Sequence, residues 1–263
     1  MALSMFVSFI GSGNLAWHLA PALDNAGFVV KEIHSLNPNH AAKLTSQLYQ
    51  AEVKATLDFS TSESSIFIVA TSDDAIESIA QEIILPEDAF LFHTSGSQPL
   101  SILQFAATSN TGVIYPLQTF SKTKKVDFKS IPIFIESNNI ETEELLLLLA
   151  KSISNKVSKI GSEERKALHV AAVFASNFTN HMLTLSKKIL EQNSLSFDLM
   201  KPLILETLNK SLLVGPENAQ TGPASRGDLE IMDKHLEFIK EDPALAEIYK
   251  LLSQHILDKY QSQ

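Results

Sequence analysis

The chain has no cysteine, a single tryptophan, and only nine glycines and ten prolines in 263 residues. Without thiols there can be no disulfide, zinc ribbon, iron–sulfur ligation or thiol catalysis, and the composition suits a reducing compartment such as the cytoplasm. Few glycines and prolines, beside 44% hydrophobic and 19% charged residues, exclude fibrous and disordered classes and leave a globular chain. Positive charge is also scarce. The net charge is -9 and no run of basic residues is longer than the pair Lys124 and Lys125, so the footprint that phosphate-backbone binding requires is missing and nucleic acid is not an expected partner. Long apolar runs are absent too. The greasiest stretch, 145–150, falls far short of the roughly 18 residues of a membrane span, so it reads as a buried helix segment and no membrane contact is expected. The apolar start, 1–10, lacks the basic flank of a secretory leader and runs straight into a glycine turn, which makes it a first strand.

What is present alternates. Residues 6–10 read as a strand, and 14–26 carry Leu15, Leu19, Ala22, Leu23 and Ala26 at helical spacing until Gly27 stops the helix. A strand at 28–35, a helix at 39–49, an apolar β-rich run at 65–70, a helix at 73–83 and strands at 89–93 and 112–115 come next. This is the pattern of a doubly wound parallel sheet with right-handed crossovers. Beyond Pro116 a lysine-bearing loop, 121–129, precedes a strand at 131–136 and a helix at 141–153. After Gly161 only helices are expected, at 162–192, 198–213, 229–239 and 243–260. The length suits two domains, an α/β domain over 1–155 and an all-α domain over 156–263.

Gly11-Ser12-Gly13-Asn14-Leu15-Ala16 is G-x-G-x-x-A, set between the first strand and a helix that opens at once. The first glycine permits a tight turn, the second lets backbone approach a pyrophosphate, and the small third residue lets helix and strand pack closely, with free N–H groups facing the anion. Gly11, Gly13, Asn14 and Leu15 are therefore cofactor-binding candidates in a Rossmann-type domain. NAD-binding domains carry an acid about 20 residues further on for the ribose hydroxyls. Here that stretch is His34-Ser35-Leu36-Asn37, with Glu32 too early, so a 2′-phosphate meets no carboxylate and could be held by Ser35, Asn37 or Lys43. This favours NADP, with NAD as the alternative. Ligands sit outside the carboxyl ends of such strands, which adds Ala70, Thr71 and Ser72 after the fourth strand and Thr94 and Ser95 after the fifth. Ser72 and Asp73 could equally cap the next helix.

In the helical half, Lys166, His169, Asn177 and Asn180 fall on one face at 3.6 residues per turn. Flanking Ala167, Ala171, Ala172, Ala175 and Ser176 allow close approach of another element, within or between subunits. His169 is either a hydrogen-bonded structural histidine or a proton-transfer group. Residues 221–228 form a turn ahead of a helix that Asp228 would cap; Arg226 there either clamps a substrate carboxylate or pairs with Asp228.

Taken together, the glycine turn, His93-Thr94-Ser95-Gly96, Tyr115-Pro116-Leu117-Gln118-Thr119-Phe120, His169 with Asn177, and 221–228 resemble a family of Rossmann-like oxidoreductases whose C-terminal helical domain has no assigned function. That family is similar to deazaflavin-dependent NADP oxidoreductases, pyrroline-5-carboxylate reductase and, more distantly, ketopantoate reductase and the β-hydroxyacid dehydrogenases. The resemblance implies NADP, hydride transfer to or from a small carbonyl or imine substrate, and a homodimer joined through the C-terminal helices. In the last two groups a lysine stands one turn before the helix asparagine; here that position is Val173, which leaves Lys166 or His169 as proton donor. His169, Asn177, Lys166, Arg226 and Ser95 form the expected catalytic set. A non-catalytic NADP(H)-binding sensor or scaffold is the alternative. A methyltransferase fits less well, because strand 6–10 lacks the acid that usually precedes its glycine turn.

Overall fold

The computed structural model describes residues 5–261; the part of the expected first strand that falls on 1–4 lies outside them. Eight strands are laid down in the first 160 residues: β1 (Phe6–Ile10), β2 (Val29–His34), β3 (Glu52–Lys54), β4 (Ile66–Val69), β5 (Phe90–His93), β6 (Asn110–Pro116), β7 (Pro132–Ser137) and β8 (Lys156–Lys159). They form one sheet in the order β3-β2-β1-β4-β5-β6-β7-β8, parallel as far as β6. β7 runs antiparallel to β6, with Pro116 opposite Ile133 and Gly112 opposite Ser137, and β8 runs parallel to β7.

Burial explains the central strands. All four residues of β4 are buried, and because side chains alternate, Ile66 and Ile68 join one core while Phe67 and Val69 join another. The first core takes Leu19 and Leu23 of helix α1 (Asn14–Asn25), Ala41 and Leu44 of α2 (Pro38–Thr45), and Leu146, Leu149 and Ile153 of α4 (Ile140–Ile153). The second takes Ile76, Ile79 and Ile83 from and beside α3 (Ile76–Glu82), with Leu91 and Leu103. The chain leaves β1 toward β2 and β3, then returns to place β4 on the other side of β1. The crevice outside the strand ends at that reversal is where doubly wound sheets bind ligands.

By compactness the chain divides into a unit ending at Asn177 and a unit beginning at Phe178. Helix α5 (Ser162–Ala172) goes with the first. The expected helix 162–192 is helical throughout, but Val173–Phe178 is π-helical and only then does α6 (Thr179–Gln192) resume. That interruption leaves Lys166 and His169 together on α5 but takes Asn177 and Asn180 off the single face expected for the four: i→i+5 bonding puts an extra residue into the turn, and each residue so added rotates the succeeding ones by about 100°. The second unit is helical among the described residues, with α7 (Lys201–Val214), α8 (Pro216–Ala219), α9 (Pro223–Arg226), α10 (Leu229–Phe238) and α11 (Pro243–Gln261). Ala224 of α9 and Leu245 and Ser253 of α11 are buried there, whereas no residue of α7 is. Among the described residues no helix is long and apolar enough to cross a membrane.

Candidate active site

The turn after β1 depends on glycine for two separate reasons. Gly11 has φ +115°, and a Cβ on it would stand 2.2 Å from the carbonyl oxygen of Ala70, so backbone conformation and packing both forbid a side chain. Its N–H donates to the His34 carbonyl at 2.8 Å, fastening the turn to the end of β2. Gly13 is different. Its φ of -70° suits any residue, and the nearest atom to an added Cβ would be Ala70 O at 3.9 Å. Among the described residues nothing requires glycine at this position; what its missing side chain keeps clear is the space before α1. That helix starts with no side-chain cap and no acid in its first turn, which leaves its N-terminal N–H groups for an anionic ligand.

The space is a cleft of about 1010 Å³, at the upper end of the roughly 300–1,000 Å³ of small-molecule sites. Of the residues singled out in the sequence, Gly11, Gly13, Asn14, Leu15, Ser35, Ala70, Thr71, Ser72, Thr94, Ser95 and His169 line it. At its β2 end Ser12 Oγ donates to Ser35 Oγ at 2.9 Å. Glu32 is buried within β2, taken up by the hydroxyls of Ser8 and Ser62 and by Lys54 at 3.3 Å, so it presents no carboxylate to a ribose. Asn37 does not line the cleft; its side chain accepts from the Asn39 N–H at 3.0 Å and caps α2. Ser72 stands at the start of the turn before α3 but makes no capping bond, and the Asp73 carboxylate accepts from the Ser97 hydroxyl, so neither fills the capping role open to it.

The loop after β5 is held by a side chain that sequence reasoning passed over. Arg165 of α5 is 1% exposed. Its Nε donates to the Ser95 carbonyl at 3.1 Å and Nη2 to the Gln98 carbonyl at 2.5 Å, while Nη1 pairs with the Glu136 carboxylate of β7. Ser95 Oγ in turn accepts the N–H groups of Ser97 at 3.1 Å and Gln98 at 3.0 Å, so this hydroxyl folds the loop. His93 below it is fully buried, and burial first, then the Arg165 charge, push its pKa down to about 3. The neutral ring accepts the Ser95 N–H on Nδ1 at 3.1 Å, which puts its own proton on Nε2.

One helical turn after Arg165, on the same face of α5, His169 meets Tyr115 from the end of β6, with Nδ1 and Oη 3.1 Å apart. Burial raises the Tyr115 pKa, so the phenol keeps its proton, and the direction of its bond with Nδ1 follows the tautomer of the ring. Gly96 makes the pairing possible: a Cβ there would lie 2.6 Å from His169 Nδ1 and 2.8 Å from Tyr115 Cζ. Lys166 and Asn177 are exposed and do not line the cleft. Arg226 is exposed in α9 of the second unit, where Asp228 caps α10 as expected by accepting from the Ile231 N–H at 3.3 Å.

None of the curated proteins compared with the chain matches it. A family model described as a domain of unknown function, DUF2520, matches residues 131–256. Among solved structures, the "putative NADP oxidoreductase BF3122" from Bacteroides fragilis is 39% identical, with 97% of this chain and 98% of that one covered and a TM-score of 0.90. Protein TM1727 from Thermotoga maritima is 24% identical over 97% and 98%, with a TM-score of 0.69. An imine reductase from Myxococcus stipitatus, solved in complex with NADP+, is 13% identical over 98% and 93%, with a TM-score of 0.63. At the last two identities the likeness is one of fold. The first extends over nearly the whole of both chains, and by it this chain belongs to the family of Rossmann-like oxidoreductases that carry the DUF2520 domain.

Proposed function

We propose that the protein is an NADP-dependent oxidoreductase, with NAD as its second choice, acting between nicotinamide and a small carbonyl or imine substrate. The observation that carries this reading is that the glycine turn and the Tyr115–His169 pair line one cleft. Gly11, Gly13, Asn14 and Leu15 would hold the pyrophosphate against the start of α1, Ser35 the ribose end, and Ala70, Thr71, Ser72, Thr94 and Ser95 the edge that leads to the pair. The cofactor supplies the hydride. The chain would supply the matching proton: whichever of Tyr115 Oη and His169 faces the substrate gives its own proton to substrate oxygen or nitrogen, and its partner, 3.1 Å away, steadies the group left behind by hydrogen bonding to it.

Titration of the protein with NADPH and NADH is the first test, and binding of neither would sink the reading. His169→Ala and Tyr115→Phe are then expected to bind NADPH within about twofold of wild type while turnover of a carbonyl or imine substrate falls by about 100-fold or more. Unchanged turnover in both variants would remove the pair from the chemistry. NADPH binding with no oxidation across a broad substrate panel would instead favour the sensor or scaffold.

We further propose a homodimer through the C-terminal helices. Leu205, Leu212 and Leu213 of α7 are 61%, 86% and 84% exposed on a helix that buries none of its residues, and so extensive an apolar surface is characteristic of an association site. Light scattering is expected to return twice the 28.9 kDa of the chain, and the single mass would contradict it.

A further inference from the structure

The stretch that should recognise a ribose phosphate, 34–37, contains no lysine or arginine. A cation reaches the site from much later in the chain. The loop between β6 and β7 is laid back over α1: the Ser121 carbonyl lies 2.9 Å from His18 Nε2, and the Phe120 ring lies against His18 at 5.7 Å. Next to these contacts Lys122 Nζ sits over the ring of Trp17, 4.8 Å from its centroid, and donates to the carbonyl of Ser12 at 2.9 Å. Ser12 is the middle residue of the glycine turn and the one bonded to Ser35. Among the described residues lining the cleft, Lys122 is the only lysine or arginine, and it pairs with no carboxylate. An ammonium held by one carbonyl and one π face keeps at least one of its three N–H donors for a further acceptor.

We infer that Lys122 is the phosphate-binding cation of the dinucleotide site, turning from the Ser12 carbonyl to a phosphate of the cofactor; this rests on the dinucleotide reading above. An anionic phosphate oxygen is a stronger acceptor for an ammonium than a neutral carbonyl, so the exchange runs toward the ligand. Trp17 below it fixes the stem and keeps the charge close to the turn before any ligand arrives. The shared chemistry is a phosphate group, which could be the 2′-phosphate or the pyrophosphate.

Trp17 is the only tryptophan, so its emission reports on this place alone. The full chain and its Lys122→Met and Lys122→Arg variants would be titrated with adenosine 2′,5′-bisphosphate, with adenosine 5′-diphosphate and with NADPH, using Trp17 emission for the two adenosine probes and calorimetry for all three. Lys122→Met is expected to weaken binding about tenfold or more and to lower its salt dependence, with Lys122→Arg near wild type. Loss confined to the bisphosphate assigns Lys122 to the 2′-phosphate; loss for both adenosine probes assigns it to the pyrophosphate. If Lys122→Met binds every probe as wild type does, with the same emission change, the inference is overturned while the dinucleotide reading stands. If wild type binds none of the three, both fall.

Discussion

Gly11→Ala is expected to lose dinucleotide binding and fold stability together, and Gly13→Val to lose binding alone. At Gly11 the methyl would meet the Ala70 carbonyl 2.2 Å away, and φ would have to remain at +115°, a region that L-residues rarely occupy. Left-handed strain and overpacking together amount to about 3 kcal/mol. Relief requires pulling the turn off the end of β4, which also displaces the Gly11 N–H from the His34 carbonyl. Gly13 has ordinary φ and open space, so a valine there should change stability by no more than about 1 kcal/mol. Its side chain would nevertheless occupy the ground in front of α1, and NADPH affinity should fall by about 100-fold or more, the equivalent of roughly 3 kcal/mol. Denaturant unfolding and NADPH titration of the two variants separate these effects. A Gly11→Ala protein with the wild-type midpoint would contradict the steric account, and a Gly13→Val protein with wild-type affinity would remove the pyrophosphate from this turn.

Arg165→Met is expected to destabilise the fold by about 3–5 kcal/mol, the range for removing one partner of a buried ion pair. The guanidinium is almost wholly enclosed, and its loss would leave the Glu136 carboxylate with only the Ser162 hydroxyl, at 2.8 Å and 3.0 Å, and strip a donor from both the Ser95 and Gln98 carbonyls. Arg165→Lys should recover little, since an ammonium cannot span three acceptors on two elements in the fixed fork of a guanidinium. In the Arg165→Met/Glu136→Gln double variant the uncompensated charge is gone, so its loss should be smaller than the sum of the singles by at least about 1 kcal/mol. Strict additivity would mean that the pair contributes nothing as a pair.

The parts of this molecule legible in its sequence are those where local pattern and tertiary role agree. β1, the glycine turn and α1 succeed one another without a gap, and β4 is apolar on both faces because both faces are covered. The two strands that reasoning missed, β3 and β8, are the edges of the sheet: Glu52-Val53-Lys54 and Lys156-Val157-Ser158-Lys159 are largely exposed and carry the charge that edge strands use against further pairing. Such residues have no hydrophobic signature to find. Arg165 was hidden by its neighbours, since Glu163, Glu164 and Lys166 make it look like one more member of a solvated helix face, whereas its partners are backbone carbonyls of 95 and 98. Tyr115 stood out only as part of a resemblance, because nothing local ties it to His169. Lys122 gave no signal at all: a lysine in a loop of lysines reads as solubility, and only the folded loop brings it to the glycine turn.

The spans of these contacts bear on the order of assembly. Lys122 reaches Ser12 across 110 residues, Arg165 reaches Ser95 across 70, and His169 reaches Tyr115 across 54. Each closes a long loop, and chain entropy opposes every such closure until the strands between are already paired. The glycine turn, by contrast, is made of contiguous residues. The contact of Tyr115 with His169 must therefore wait for the strands that lie between them in sequence, just as the fastening of Gly11 to the end of β2 waits for that strand to pair.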